Sequence, residues 1–93
     1  MNLEIHVTKD DIANGKGFSS YDCPIATASK RALPQGCEIN VYEERLIFWQ
    51  PKNGMSVAEL PPIAKRFIKR FDKSNSISRK LIKPFNFSIE LKK

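Results

Sequence analysis

The sequence predicts a small α+β domain in the order β-α-β-β-α-β: four antiparallel strands in one sheet, with two helices on one face, as in ferredoxin-like folds. Three observations predict it. Apolar residues alternate with polar ones near both ends of the chain and in its middle, which is the period of half-buried strands. Two intervening stretches carry apolar stripes at helical spacing, each opened by proline. The chain has 93 residues, room for one domain spanning 1–93, and a chain of this size buries roughly 60 to 65% of its unfolded surface without needing metals or disulfides.

Leu3, Ile5 and Val7 alternate with Glu4, His6 and Thr8, predicting the first strand. Thr8 then begins T-K-D-D, the spacing of a capping motif, so Lys9 to Asn14 is expected to form one helical turn stopped by Gly15. Residues 15 to 22, G-K-G-F-S-S-Y-D, have no period and read as a loop anchored by Phe18 or Tyr21. Cys23-Pro24 opens the first full helix, with Asp22 or Cys23 as its N-cap and Ile25, Ala28, Ala32 and Leu33 as its buried stripe. Lys30 and Arg31 sit where the helix dipole favours cations, and Pro34 and Gly36 end the helix.

Cys37, Ile39 and Val41 alternate with Glu38, Asn40 and Tyr42 as a second strand. Leu46 to Trp49 follows as a third, across the short polar break Glu43-Glu44-Arg45, which makes a hairpin. Pro51-Lys52-Asn53-Gly54 is turn chemistry, and Ser56 to Leu60 reads as the approach to the second helix, with Pro61 or Pro62 in its first turn. That helix places Ile63, Ala64, Phe67, Ile68 and Phe71 on one stripe, with Lys65, Arg66, Lys69 and Arg70 beside or opposite it. Residues 73 to 83 read as a mobile basic loop. Phe85, Phe87, Ile89 and Leu91 then alternate with Asn86, Ser88 and Glu90 in the last strand, entered through Pro84.

The formal net charge is +6 and is unevenly placed. Residues 1 to 60 carry six Lys or Arg against eight Asp or Glu, a balance of −2; residues 61 to 93 carry ten against two, a balance of +8. Like charges four apart on a helix repel by about 0.2 to 0.5 kcal/mol a pair, so Lys65, Lys69 and Lys73, with Arg66 and Arg70, form a stripe that an anionic partner would relieve. The candidate partner-binding or nucleic-acid-binding residues are therefore Lys65, Arg66, Lys69, Arg70, Lys73, Arg79, Lys80 and Lys83. The competing reading is a solvated basic face that keeps the protein soluble.

No run of apolar residues reaches transmembrane length and the N-terminus lacks a signal-peptide pattern, so a protein that stays where it is made is expected. Cys23 and Cys37 are too few for a disulfide framework and too far apart for a CxxC pair. Cys23, at a helix start, is the plausible nucleophile, but His6 is the sole histidine and nothing in the sequence brings it near; a capping or buried thiol is the simpler reading. One histidine and two separated cysteines do not make a zinc site, adjacent Asp10 and Asp11 point apart, and no glycine-rich phosphate loop is present. The chain lacks the aromatic signature of an RNA-recognition motif, so Phe48 and Trp49 read as core or partner contacts, and it lacks the paired helices of a helix-turn-helix. No enzyme, metal or cofactor is expected.

Three stretches together carry a resemblance: I-H-V-T-K-D-D-I-A-N-G (5 to 15), C-P-I-A-T-A (23 to 28), and L-P-P-I-A-K-R-F-I-K-R-F-D (60 to 72) with the closing P-F-N-F-S-I-E-L (84 to 91). In these the chain resembles a group of small phage and prophage accessory proteins, a class that includes anti-CRISPR inhibitors. The resemblance implies a small inhibitor without an active site, acting as a monomer in the bacterial cytoplasm. Its implied partner is a host ribonucleoprotein, a type I CRISPR-Cas complex above all, met at its guide RNA or an acidic Cas surface so that target DNA binding is blocked. One departure is that the group's second helix is associated with acidic residues, whereas Lys65, Arg66, Lys69 and Arg70 are basic here. The alternatives are a general DNA- or RNA-binding accessory protein, a small thiol enzyme and a virion component.

Overall fold

The computed structural model describes residues 2–33, 37–51, 54–75 and 77–90. The expected helix stop at Pro34 and Gly36, the turn residues Lys52 and Asn53, Ser76 of the basic segment, and Leu91 in the last strand lie outside them. The described elements are β1 (Asn2–Val7), α1 (Lys9–Asn14), α2 (Pro24–Ala32), β2 (Glu38–Val41), β3 (Arg45–Gln50), β4 (Gly54–Glu59), α3 (Pro62–Asp72), a 3-10 turn (Ser78–Leu81) and β5 (Phe85–Glu90). The class is α+β, with three α-helices and five strands among the described residues.

The expected single sheet of four strands is not what forms. The strands divide into two antiparallel sheets, β1-β5 and β2-β3-β4. The extra strand is β4, which the sequence hides because its pattern is inverted: Ser56 and Ala58 face the core while Met55 and Val57 face outward. The small inward residues suit their partners. Ser56 lies opposite Phe48 and Ala58 opposite Leu46, both large and buried, so that small and large side chains fill one layer. The pairing of β1 with β5, Ile5 opposite Phe87 and Leu3 opposite Ile89, joins the two ends of the described chain. The two sheets share one core: α2 packs on both β1 and β2, and β4 also touches β5 directly.

Local chemistry explains the helices. Thr8 caps α1 as a full capping box: its hydroxyl accepts from the Asp11 N–H and the Asp11 carboxylate accepts from the Thr8 N–H at 2.8 Å. Cys23 caps α2, its sulfur accepting from the Ala26 N–H at 3.4 Å, and Pro24 follows at the first helical position. Between them Gly15 is squeezed, since a Cβ there would come within 2.6 Å of Pro24 Cδ and 2.8 Å of the Asp11 carbonyl oxygen.

The loop after Gly15 is held differently from expectation. Phe18 is 83% exposed and Tyr21 is also exposed, so neither aromatic anchors it. Phe18 sits at φ 58°, in the left-handed region, and its N–H donates to the Asp72 carboxylate at 2.9 Å. The Val41 N–H donates to the Ser20 carbonyl, and the Ser20 hydroxyl reaches Asn40 at 3.2 Å. Hydrogen bonds, not aromatic burial, fix the loop to β2 and to the end of α3.

Candidate functional site

The cationic face is built on α3. Pro62 occupies the first turn, and the N–H groups of Ala64 and Lys65 close the helix start on the Pro61 carbonyl. Ala64, Phe67, Ile68 and Phe71 are buried, within an aromatic run in which Phe67 lies 5.7 Å from Phe71 and 4.8 Å from Phe85 between ring centroids. Ile63 departs from the expected stripe: it is 43% exposed, at the edge of the apolar arc just inside the helix start. Arg66, Lys69 and Arg70 are exposed and Lys65 half-buried. Lys69 and Arg70 lie in the last turn, where the free carbonyls of the helix favour cations.

After α3 the chain turns back along it. The Ser74 hydroxyl donates to the Phe71 carbonyl, and the Asn75 side-chain oxygen accepts from the N–H groups of Ile77 and Ser78, starting the 3-10 turn. Ile82 is buried and pins the segment to the core, while Leu81, 69% exposed, and Lys83 point outward.

The eight candidate cations are thereby sorted. Arg66, Arg70 and Lys83 come together along an open groove of about 620 Å³ between α3 and the segment leading into β5. Its apolar lining comes from Ile63 and Phe67 on one side and from Leu81, Ile82 and Phe85 on the other. Lys65, Lys69, Lys73 and Lys80 do not line this groove. Arg79 is half-buried and engaged elsewhere: its guanidinium lies 4.3 Å from the Phe71 ring centroid, Nη1 donates to the Gly15 carbonyl at 3.0 Å and Nε donates to the Ser74 hydroxyl at 3.3 Å. Arg66, Arg70, Lys83, Lys65, Lys69, Lys73 and Lys80 make no ion pair or hydrogen bond with any other described residue through their side chains.

Two other surfaces have different chemistry. A cleft of about 340 Å³ is floored by Cys23, Phe67 and Phe71, with Phe18 and Tyr42 at its walls, and its charged groups are the carboxylates of Glu43 and Asp72. Burial pushes the Cys23 thiol up from its ordinary value, and the nearby Asp72 carboxylate adds to this, so the sulfur is held as a neutral thiol. His6 is not in this cleft; it stands on β1 with Nδ1 2.9 Å from the Asn86 side-chain oxygen. The outer face of the three-stranded sheet exposes Trp49, Met55 and Val57, with Glu38 beside Trp49, while Phe48 is buried. The charged groups of the cleft are acidic and those of the sheet face are of both signs, with Arg45 opposite Glu59, whereas α3 is basic.

Sequence periodicity could find Arg66 and Arg70 but not the apolar half of the groove. Ile63 reads as core by its spacing, and Leu81 sits beside a second aliphatic residue, with nothing local to say which of the two turns inward. Among the described residues no three His, Cys, Asp or Glu side chains gather as a metal site, and no helix is long and apolar enough to cross a membrane. Comparison with protein-family models, with curated proteins and with solved structures finds no match to this chain.

Proposed function

We propose that this chain is a binding protein that engages an anionic macromolecule through the exposed side of α3 and Lys83. The observation that carries the reading is the convergence of Arg66, Arg70 and Lys83 on one groove without any carboxylate among the described residues to pair with them. Seven unpaired cations on one short stretch repel one another, and an anion relieves that repulsion while gaining charge-assisted hydrogen bonds. Within this class, the resemblance of the 5 to 15, 23 to 28 and 60 to 72 stretches to phage accessory proteins favours an inhibitor of a type I CRISPR-Cas ribonucleoprotein that blocks target DNA binding. The same charges serve a general DNA- or RNA-binding protein.

A pull-down with tagged protein from a host lysate carrying a type I system, with and without nuclease and at low and moderate salt, separates these readings. The inhibitor reading expects a nuclease-resistant surveillance complex, lost when Lys65, Arg66, Lys69 and Arg70 are changed to Glu. Recovery of nucleic acid alone, weakening about a thousandfold between low and moderate salt as six phosphate contacts require, overturns the inhibitor in favour of the general binder.

A further inference from the structure

Taking the anion-binding reading of α3 as its basis, we propose that the groove between α3 and the Leu81 to Phe85 segment binds an acidic amphipathic polypeptide segment. Aliphatic side chains of the partner cover Ile63 and Leu81, while its carboxylates meet Arg66, Arg70 and Lys83.

The lining decides between polypeptide and nucleic acid. A groove that tracks a nucleic-acid strand combines cations with exposed aromatic faces on which bases stack. Here the exposed groups between the cations are aliphatic: Ile63 is 43% and Leu81 69% exposed. The aromatic rings that reach the groove are already occupied. Phe67 is buried, and Phe85 has the ring of Phe67 at 4.8 Å and that of Phe87 at 5.7 Å. A phosphate backbone gains nothing by covering Ile63 and Leu81, whereas a segment alternating Leu or Ile with Glu or Asp removes both from water and neutralises the rim. Arg66 and Arg70 stand one helical turn apart on the same wall, and their planar forks suit carboxylates bidentately, in the manner of a helix laid into a groove with charged flanks. The volume of about 620 Å³ lies within the range of clefts that hold specific ligands, roughly 300 to 1,000 Å³.

The test uses the full chain and three fluorescein-labelled probes of equal negative charge: a peptide with Leu and Glu at helical spacing, the same peptide with Ser for Leu, and oligothymidylate. Fluorescence anisotropy at physiological salt is expected to show the Leu-Glu peptide binding about tenfold or more tighter than either other probe. The pair Ile63→Ser and Leu81→Ser, both at exposed positions and so tolerated by the fold, should erase that preference while leaving the weak charge-driven binding of the other two. Lys65→Ala with Lys69→Ala should slow association and leave dissociation of the Leu-Glu peptide almost unchanged. Equal binding of all three probes, insensitive to the serine pair, overturns the proposal and leaves the anion-binding reading standing. Tightest binding of oligothymidylate overturns it in favour of nucleic acid, and binding of none overturns both.

Discussion

The guanidinium of Arg79 lies 4.3 Å from the centroid of the Phe71 ring and reaches across to the Gly15 carbonyl at 3.0 Å. One side chain thus ties the turn after α3 to the end of α1, while its aromatic partner holds the core. Arg79 is chemically like Arg66 and Arg70 but is used as a strut, and that difference is measurable.

Arg79→Ala is expected to cost about 1 to 2 kcal/mol of stability, through the lost cation–π contact and an unsatisfied Gly15 carbonyl. Lys80→Ala, at an exposed neighbour whose side chain has no partner among the described residues, should stay within about 0.5 kcal/mol of wild type. Urea unfolding of the two variants checks the pair; equal effects would remove the strut from Arg79.

The second strut is Arg31, which forks onto Asp11 through Nη1 at 2.6 Å and Nη2 at 2.5 Å and also donates to the His6 carbonyl at 3.0 Å. Burial alone would raise the Asp11 carboxyl, but the Arg31 hydrogen bonds and the Thr8 backbone and hydroxyl outweigh it and hold the group below its ordinary 3.8. A carboxyl depressed on folding contributes stability that is complete above its unfolded value and is lost as pH falls through its folded value. The contribution of Asp11 is therefore complete at neutral pH, begins to fall near pH 4 and is lost as the pH passes down through the lower folded value. Asp11→Asn should cost about 1 to 2 kcal/mol at pH 7, and the gap from wild type should narrow on acidification below pH 4. Chemical denaturation across that range measures it, and a gap independent of pH would contradict the assignment.

Ser29 is fully buried in α2 and its hydroxyl has no hydrogen-bond partner among the described residues. Ser29→Ala removes that desolvated group and raises helix propensity, for a gain of about 1 kcal/mol. In a domain of this size that raises Tm by roughly 4 to 8 °C. A lower Tm in a calorimetric scan would show that the hydroxyl is satisfied in solution.

Gly15→Ala drives a methyl group into Pro24 and the Asp11 carbonyl, so α1 and the start of α2 must separate. The expected cost is about 1 to 3 kcal/mol, and adding Arg79→Ala should cost less than the two single losses together, because both changes strike the Gly15 carbonyl contact. A double-mutant cycle by urea unfolding reads that coupling.

Local chemistry in the sequence carried the helices well. T-K-D-D announced a cap that forms with Thr8 and Asp11, Cys23-Pro24 announced the start of α2, and the 3.6-residue period set Lys65, Arg66, Lys69 and Arg70 outside the buried face of α3. The sheets were harder because their information is non-local. Nothing near Leu3 says that its partner is Ile89, and β4 buries Ser56 and Ala58 while exposing Met55 and Val57, the reverse of the pattern by which strands are read. The site was legible to the same depth. Helical spacing located Arg66 and Arg70, but that Arg79 would stack on Phe71, and that Leu81 would face out while Ile82 faces in, depends on tertiary contacts that no local pattern encodes.

On the proposed function, binding depends on where the cations stand along the α3 groove and not on net charge alone. The direct measurement compares wild type with Arg66→Glu/Arg70→Glu and with Lys9→Glu/Lys16→Glu, an equal change in net charge at exposed residues away from the groove, in quantitative capture of the anionic partner from host lysate at physiological salt. Capture is expected for wild type and for the Lys9/Lys16 variant, with a loss of more than tenfold for the Arg66/Arg70 variant. Equal losses in both variants, or none in either, would contradict the dependence on position.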